Sequence, residues 1–89
     1  MQAEFLNAKS LVDRTLSLIG YDIDKGREVA VFVNGRKLGV VSEGDDKGYS
    51  KTDSFRIPAA YQIEGRNVIV IRQDKRMQYP WGVKDILVE

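Results

Sequence analysis

Two stretches of the chain are rich in β-branched residues. Within residues 28–34 both the odd-numbered and the even-numbered positions are mainly apolar, which is typical of a strand that is buried on both faces or nearly so. Asn34 and Gly35 end this stretch, and both residue types tolerate the positive φ that a type I′ turn requires. The pattern predicts a β-hairpin with its return strand at residues 36–42. The second stretch, residues 67–72, is predicted to be a central strand.

Polar and glycine-rich segments separate the remaining predicted strands. Residues 43–51 are predicted to be a surface loop, because their glycines and charges are unsuited to a core. Residues 52–57 alternate, with Phe55 and Ile57 on one face, and Pro58 ends this predicted strand. The other predicted elements are a helical turn or irregular connection at 59–63, a turn at Glu64 and Gly65, a loop at 73–82 and a last strand at 83–88.

The N-terminal part of the chain fits two kinds of element. Residues 8–19 have the spacing of an amphipathic helix, but part of the same segment alternates as a strand does. We favour a strand at residues 15–22, because everything after it is predicted to be sheet and a strand-rich core needs partners. Residues 1–14 are expected to form an edge strand or to be loosely ordered.

These elements predict an all-β fold. About six to eight short strands with turns every ~8–12 residues are typical of an antiparallel β-sandwich. The chain of 89 residues is expected to be one module, 1–89, since compact domains rarely fall much below ~50 residues. Its composition, 43% hydrophobic and 30% charged, is that of a globular protein.

Charge and composition argue against several classes of function. The 14 Lys+Arg and 13 Asp+Glu give a net charge of +1, which provides no electrostatic case for nucleic acid or an anionic membrane. The sequence has no His and no Cys, so it lacks the usual zinc and copper ligands, thiol redox chemistry and the commonest general base. Its apolar runs are far shorter than the ~20 residues that cross a bilayer. With no glycine-rich phosphate loop either, we expect no enzyme activity and no required cofactor.

Several motifs occur in an order that resembles a known family. They are Asp22-Ile-Asp24, an apolar strand ending in Val-Asn34-Gly35 with Gly39 shortly after, a short strand ending at Pro58, Gly65-x-Asn67 leading into an apolar strand, and Trp81-Gly82 before the final strand. This order resembles the jelly-roll β-sandwich modules of the galactose-binding-like superfamily, over residues 16–88. Carbohydrate-binding modules attached to glycoside hydrolases and polysaccharide-active surface proteins belong there. The resemblance implies a jelly-roll sandwich that binds a polysaccharide or oligosaccharide.

The segment 72–81 concentrates residue types that bind sugars. Aromatic rings offer a large, rigid surface to the apolar side of a pyranose, and planar polar groups hydrogen-bond to its hydroxyls. For Trp81 we favour the alternative of a core or loop-anchoring residue packed under Pro80 before the last strand, since Trp is highly buried on average. Arg side chains in this segment also fit an acidic polysaccharide, because the guanidinium group forms bidentate hydrogen bonds with carboxylates or sulfates. The candidate ligand-binding residues are Tyr79, Trp81, Arg72, Gln73, Asp74 and Arg76, with Tyr49 of the earlier polar loop as a second wall.

Three aspartates suggest a structural calcium site. Calcium takes six or more oxygen ligands, and Asp22, Asp24 and Asp85 offer carboxylates. The resemblance implies the same site, since such modules often hold calcium between an early loop and the final strand. The other interpretation is that Asp22 and Asp24 cap a turn and that Asp85 is solvated on an edge strand.

Three further expectations concern the context of the module. A structural or protein-interaction module of a multidomain surface protein, with no sugar site, is the alternative function, and an engineered or truncated jelly roll is a third. The expected location is extracellular or at the cell surface within a larger secreted protein, although residues 1–7 do not resemble a signal peptide. A bare edge strand would also favour self-association with a second copy.

Overall fold

The computed structural model describes residues 1–8, 11–23, 28–44, 48–73 and 81–89. In these residues the chain is built from strands, and the predicted all-β fold is confirmed. In the same part of the chain, no helix is long and apolar enough to cross a membrane. The elements are β1 (Gln2–Asn7), β2 (Arg14–Tyr21), β3 (Val29–Val33), β4 (Arg36–Val40), β5 (Tyr49–Ile57), a short 3-10 helix (Ala59–Tyr61), β6 (Gly65–Gln73) and β7 (Gly82–Val88).

The seven strands form two antiparallel sheets that pack as a sandwich. Sheet A has the order β1-β6-β3-β4, and sheet B has the order β5-β2-β7. Three strand pairs are nested along the chain, since β1 pairs with β6, β2 with β5, and β3 with β4. The predicted antiparallel sandwich is therefore confirmed. Its jelly-roll topology is not established, because a jelly roll has eight strands.

Alternation along the strands divides each sheet into an inner and an outer face. On β3 the inner residues are Val29, Val31 and Val33, and on β6 they include Ile69 and Ile71. All five are at most 1% exposed. Sheet B faces them with its own aliphatic side chains, so the core lies between the sheets. The other members of the core are Leu16, Leu18, Ile23, Val41 and Ile57.

Most predicted strands occur near their predicted positions. The hairpin is confirmed, since Val33 pairs with Arg36 across Asn34 (φ 50°) and Gly35 (φ 83°). The central position of β6 is also confirmed. Of the two interpretations for residues 8–19, the strand is the one observed, because β2 lies between β5 and β7 and provides the partner that both need.

Several strand boundaries differ from the prediction, and two of them show why. The return strand β4 ends at Val40 rather than at residue 42, and β5 begins at Tyr49 rather than at residue 52. The reason for the second difference is that Tyr49 pairs with Tyr21, which extends the ladder into the segment predicted to be a loop. β1 is an edge strand of sheet A and pairs with β6 through all six of its residues.

A polar network closes the end of the sandwich that contains the β3–β4 turn. The Asn34 amide donates from Nδ2 to the Tyr61 carbonyl and to Asn67 Oδ1, each at 2.9 Å, and its Oδ1 accepts the Val68 N–H at 3.0 Å. The buried Asn67 side chain also accepts the Ile63 N–H at 2.9 Å. These bonds join the β3–β4 turn to the segment before β6, and they satisfy polar groups that would otherwise be buried unpaired.

Candidate functional site

The predicted ligand-binding residues are placed in several parts of the structure. Arg72 and Gln73 end β6, Tyr49 begins β5, and Trp81 directly precedes β7. Asp74, Arg76 and Tyr79 lie outside the described residues. The predicted loop site is therefore described only at its two ends.

Arg72 and Tyr49 lie on the outer faces of different sheets. Arg72 pairs with Ala30 in sheet A, and its guanidinium carbon lies 4.3 Å from the centroid of the Phe32 ring. Tyr49 pairs with Tyr21 in sheet B and is 57% exposed. One bound sugar that contacts the sheet-B surface around Tyr49 would therefore not rest on the Arg72–Phe32 pair as well.

Trp81 and Gln73 are both half-buried. Trp81 is half-buried and packs against the core cluster, as the alternative interpretation of this residue expected. Gln73 is also half-buried and pairs with Val29, the first residue of β3.

The structure brings Tyr49 together with two residues that the sequence analysis did not select. The Tyr21 and Tyr49 ring centroids are 4.9 Å apart with an interplanar angle of 56°. Lys84 Nζ lies 4.0 Å from the centroid of the Tyr49 ring, which is cation–π geometry. We call these three residues the tyrosine platform. Both tyrosines are exposed, their rings are held at an angle to each other, and the Lys84 ammonium lies over one face of the Tyr49 ring.

Strand pairing positions the platform across all three strands of sheet B. Tyr21 on β2 pairs with Tyr49 on β5 and with Gly82 on β7. The Asp22 N–H donates to the Gly48 carbonyl at 2.9 Å, which extends the β2–β5 connection just beyond the two tyrosines. Gly82 has no side chain, and a Cβ there would meet no atom of the described residues within 4 Å. The surface beside Tyr21 is therefore open on the β7 side.

Gly20 supports the platform from the inner face. A Cβ at this position would lie 2.7 Å from Ile23 Cδ1 and 2.8 Å from Val41 Cγ1, so only glycine allows this close approach without movement of the core. Because Gly20 immediately precedes Tyr21, the close packing behind β2 fixes the backbone that carries the Tyr21 ring.

The rest of the outer face of sheet B carries hydroxyl groups together with two aliphatic side chains. Alternation and register place Thr15, Ser17, Thr52 and Ser54 on this face, with Ile19 beside Thr52 and the exposed Leu87 beside Ser17. Hydroxyl groups both donate and accept hydrogen bonds, and aromatic rings pack against apolar C–H surfaces. The arrangement thus combines a stacking surface, a cation and a row of small polar groups, which suits a ligand with hydroxyls on one side and C–H groups on the other.

The aspartates predicted to bind calcium are not gathered in the described structure. Asp22 follows β2, whereas Asp85 lies within β7 at an irregular point opposite Leu18, so their backbones are separated by about 13 Å along the strand direction. Asp24 lies outside the described residues. Both Asp22 (φ 56°) and Asp85 (φ 54°) occupy the left-handed region, which Asp adopts more readily than most residues. Within the described ranges no group of three His, Cys, Asp or Glu side chains is arranged to hold a metal.

Sequence reasoning missed Tyr21 and Lys84 for a specific reason. Alternation alone assigns Tyr21 to the outer face, but its neighbours depend on the register between strands. The ladder shifts between Ile19 and Tyr21 on one side and between Ser17 and Ile19 on the other, and no sequence signal locates these irregularities. Tyr49 was found because its residue type is suited to stacking.

Comparison with known proteins adds no relative. No family model matches the chain, and the searches of curated proteins and of solved structures return no match. Any functional inference therefore rests on the residues and geometry described above.

Proposed function

We propose that the chain is a non-catalytic carbohydrate-binding module that recognises a polysaccharide at the tyrosine platform. The single observation that carries this proposal is the exposed Tyr21–Tyr49 pair, with the Lys84 ammonium over the Tyr49 ring and hydroxyl groups on the same sheet face. A pyranose ring would stack on one tyrosine with its C–H side, and the second ring would border it. Lys84 would donate hydrogen bonds to hydroxyls or to a uronic acid.

The jelly-roll part of the proposal is supported by the nested strand pairs. A jelly roll is a long hairpin rolled up so that successive pairs lie inside one another. Here β1–β6, β2–β5 and β3–β4 follow that order, and β7 is added beside β2. The resemblance to galactose-binding-like modules predicts the same scaffold from the turn motifs around Asn34 and Asn67.

The proposed binding is shallow and weak. Each protein–sugar hydrogen bond replaces bonds to water, so its net contribution is small. Stacking on an exposed aromatic ring contributes about 1 kcal/mol beyond the area that it buries. We therefore expect the two tyrosines to provide most of the affinity and the hydroxyl groups to provide orientation.

Affinity gel electrophoresis with neutral and acidic polysaccharides tests the proposal. The wild-type chain is expected to be retarded by one class of glycan. Tyr49→Ala is expected to weaken retardation about ten-fold, because it removes the more exposed ring and the partner of Lys84. Tyr49→Ala and the control variant Tyr79→Ala are first compared with the wild type by circular dichroism to establish that all three fold alike.

Tyr79→Ala is the matched control, since it removes a tyrosine from the segment originally predicted to bind sugar. Loss of retardation in Tyr79→Ala but not in Tyr49→Ala would move the site to that segment. If no glycan retards the wild-type chain, carbohydrate binding is wrong, and the structural or protein-interaction module becomes the better hypothesis. The same gels run with calcium and with a chelator test the proposed role of Asp22, Asp24 and Asp85.

A further inference from the structure

The outer face of sheet A is apolar at its centre. Five residues of the three strands β6, β3 and β4 point away from the core there, and the core cluster of described residues includes none of them. We call them the apolar outer face: Ala30, which is 2% exposed, the half-buried Phe32, Val68 and Val70, and the exposed Val40. Register places Ala30 beside Val40 and Phe32 beside Val70, so they form one continuous patch.

This patch gives β3 and β6 the sequence pattern of strands that are covered on both faces. Val29, Val31 and Val33 pack into the core, while Ala30 and Phe32 between them are also apolar. Near-continuous apolar runs of this kind occur where a sheet is buried by a layer on each side. In the described part of the chain, only one side of sheet A is covered by another layer. The sequence of the central strands thus fits a sheet with an additional partner.

The charges around the patch indicate the chemistry of that partner. Lys37 already pairs with Glu28 at 3.1 Å, and Arg66 lies 3.8 Å from Glu4. Among the described residues Arg72 has no carboxylate partner, and its guanidinium lies over the Phe32 ring. A guanidinium stacked on an aromatic ring keeps its N–H edge available for a bidentate bond to a carboxylate.

The size of the patch also limits its occupant. The three strands that carry the patch, over about six residues each, present a surface on the order of 300 Å², from the usual strand spacing and rise. A stable dimer usually buries about 800 Å² on each partner, so a second copy on this face alone would fall short. A single helix of about 13 residues spans the ~20 Å length of the strands.

From the patch, the Arg72 guanidinium with no carboxylate partner among the described residues, and the size together, we infer that the apolar outer face docks an amphipathic protein segment that has carboxylates beside its apolar side chains. The apolar side chains of the segment pack over Val70, Phe32 and Val40. One of its carboxylates pairs with Arg72. This inference does not depend on the proposed sugar site, which lies on the other sheet.

The test uses the full chain and a stapled amphipathic helical peptide of about 14 residues, with leucines on one side and glutamates flanking them. Binding is followed by NMR chemical shifts of the labelled protein. The expected result is that shifts are confined to sheet A around residues 30, 32, 68, 70 and 72. A peptide with lysines in place of the glutamates is expected to bind about ten-fold more weakly.

Arg72→Gln and Arg66→Gln form a matched pair of variants. Arg72→Gln is expected to raise the Kd of the acidic peptide about ten-fold, whereas Arg66→Gln leaves it nearly unchanged. Both positions are exposed strand residues, and thermal melts check that the variants fold.

Four outcomes would overturn the inference. They are equal binding of the acidic and basic peptides, shifts that map to sheet B, no binding of the acidic peptide at millimolar concentration, and concentration-dependent sedimentation with sheet A at the contact. The last outcome would assign the face to a second copy. If the wild-type chain binds vesicles of anionic lipid but not the acidic peptide, the apolar outer face is assigned to a membrane surface instead.

Discussion

On their inner faces, the two sheets contribute similar aliphatic side chains to one core, but their outer faces carry different chemistry. Sheet A presents Phe32, Val68 and Val70 with a stacked Arg72. Sheet B presents two tyrosines and a lysine next to Ser and Thr hydroxyls, with Ile19 and Leu87 among them. Because successive side chains in a strand point to opposite faces, either outer face can change without altering the core between them.

This comparison shows which positions determine stability and which ones are available for binding. Inner residues are constrained by close packing, so their chemistry is uniform. Outer residues are constrained mainly by solubility, so their chemistry can differ between the two sheets. The predictions below compare the two sides, from the largest expected effect to the smallest.

The sharpest comparison is between neighbouring residues of β6. Ile69 is 1% exposed and points into the core, whereas Val70 points outward. Ile69→Ala is expected to lower the free energy of unfolding by about 3 kcal/mol, because it removes buried methyl groups and leaves a cavity. Val70→Ala is expected to cost about 1 kcal/mol or less. Urea unfolding measures both, and equal costs would contradict the assignment of the two faces.

A change behind the tyrosine platform is expected to affect sheet B alone. In Gly20→Ala the added methyl group meets Ile23 and Val41 side chains, so overpacking lowers stability by about 2 kcal/mol and displaces the backbone at Tyr21. Glycan affinity should fall, while peptide binding to sheet A is retained. Thermal melts and both binding assays measure these effects.

Gly82→Ala is the matched control for that variant. It adds the same methyl group to the same sheet, but in open space, so its thermal midpoint should stay close to that of the wild type. A loss of stability at Gly82 as large as that at Gly20 would show that the close approach behind β2 is not the cause.

The smallest predicted effect concerns an ion pair beside sheet B. Asp13 accepts the Ala59 N–H at 2.9 Å and the Arg56 Nε–H at 2.8 Å, and these bonds hold the pKa of the Asp13 carboxyl below its usual value of 3.8. A lowered carboxyl pKa stabilises the fold above the unfolded pKa, and this contribution is lost as the pH falls through the folded pKa.

Asp13→Asn is therefore expected to lower the thermal midpoint slightly at pH 7 and to differ less from the wild type as the pH falls below about 4. Glu4→Gln tests the exposed, longer pair with Arg66 on sheet A and should have almost no effect. A gap between Asp13→Asn and wild type that widens in acid would contradict the sign of the pKa shift.

Much of the fold was predictable because it depends on local signals. The positive φ values of Asn34 and Gly35 follow from the turn that their residue types favour, and the β-branched run of β6 predicts a central strand. The start of β5 was not predictable, because Tyr49 joins the sheet only through its pairing with Tyr21. Propensity does not encode a contact between residues so far apart in the chain.

The candidate site was predictable only in part for the same reason. Tyr49 has the chemistry of a stacking residue, and the sequence alone indicates that. Its neighbours Tyr21 and Lys84 are brought to it from two other strands, through ladders with register irregularities on both sides of β2. Arg72 was grouped with Tyr49 because of its residue type, yet alternation and sheet order place it on the other outer face.

The Asn34 network has a consequence for the chemical ageing of the protein. Asn followed by Gly is prone to deamidation, in which the Gly35 backbone nitrogen attacks the Asn34 side-chain carbonyl carbon, ammonia leaves, and water opens the resulting succinimide. Here both ends of the Asn34 amide are engaged, by Tyr61 and Asn67 on one side and by Val68 on the other. The side chain must break these bonds before it can rotate into position for attack. Conversion of Asn34 to aspartate or isoaspartate therefore records how often this end of the sandwich has opened during the life of the molecule.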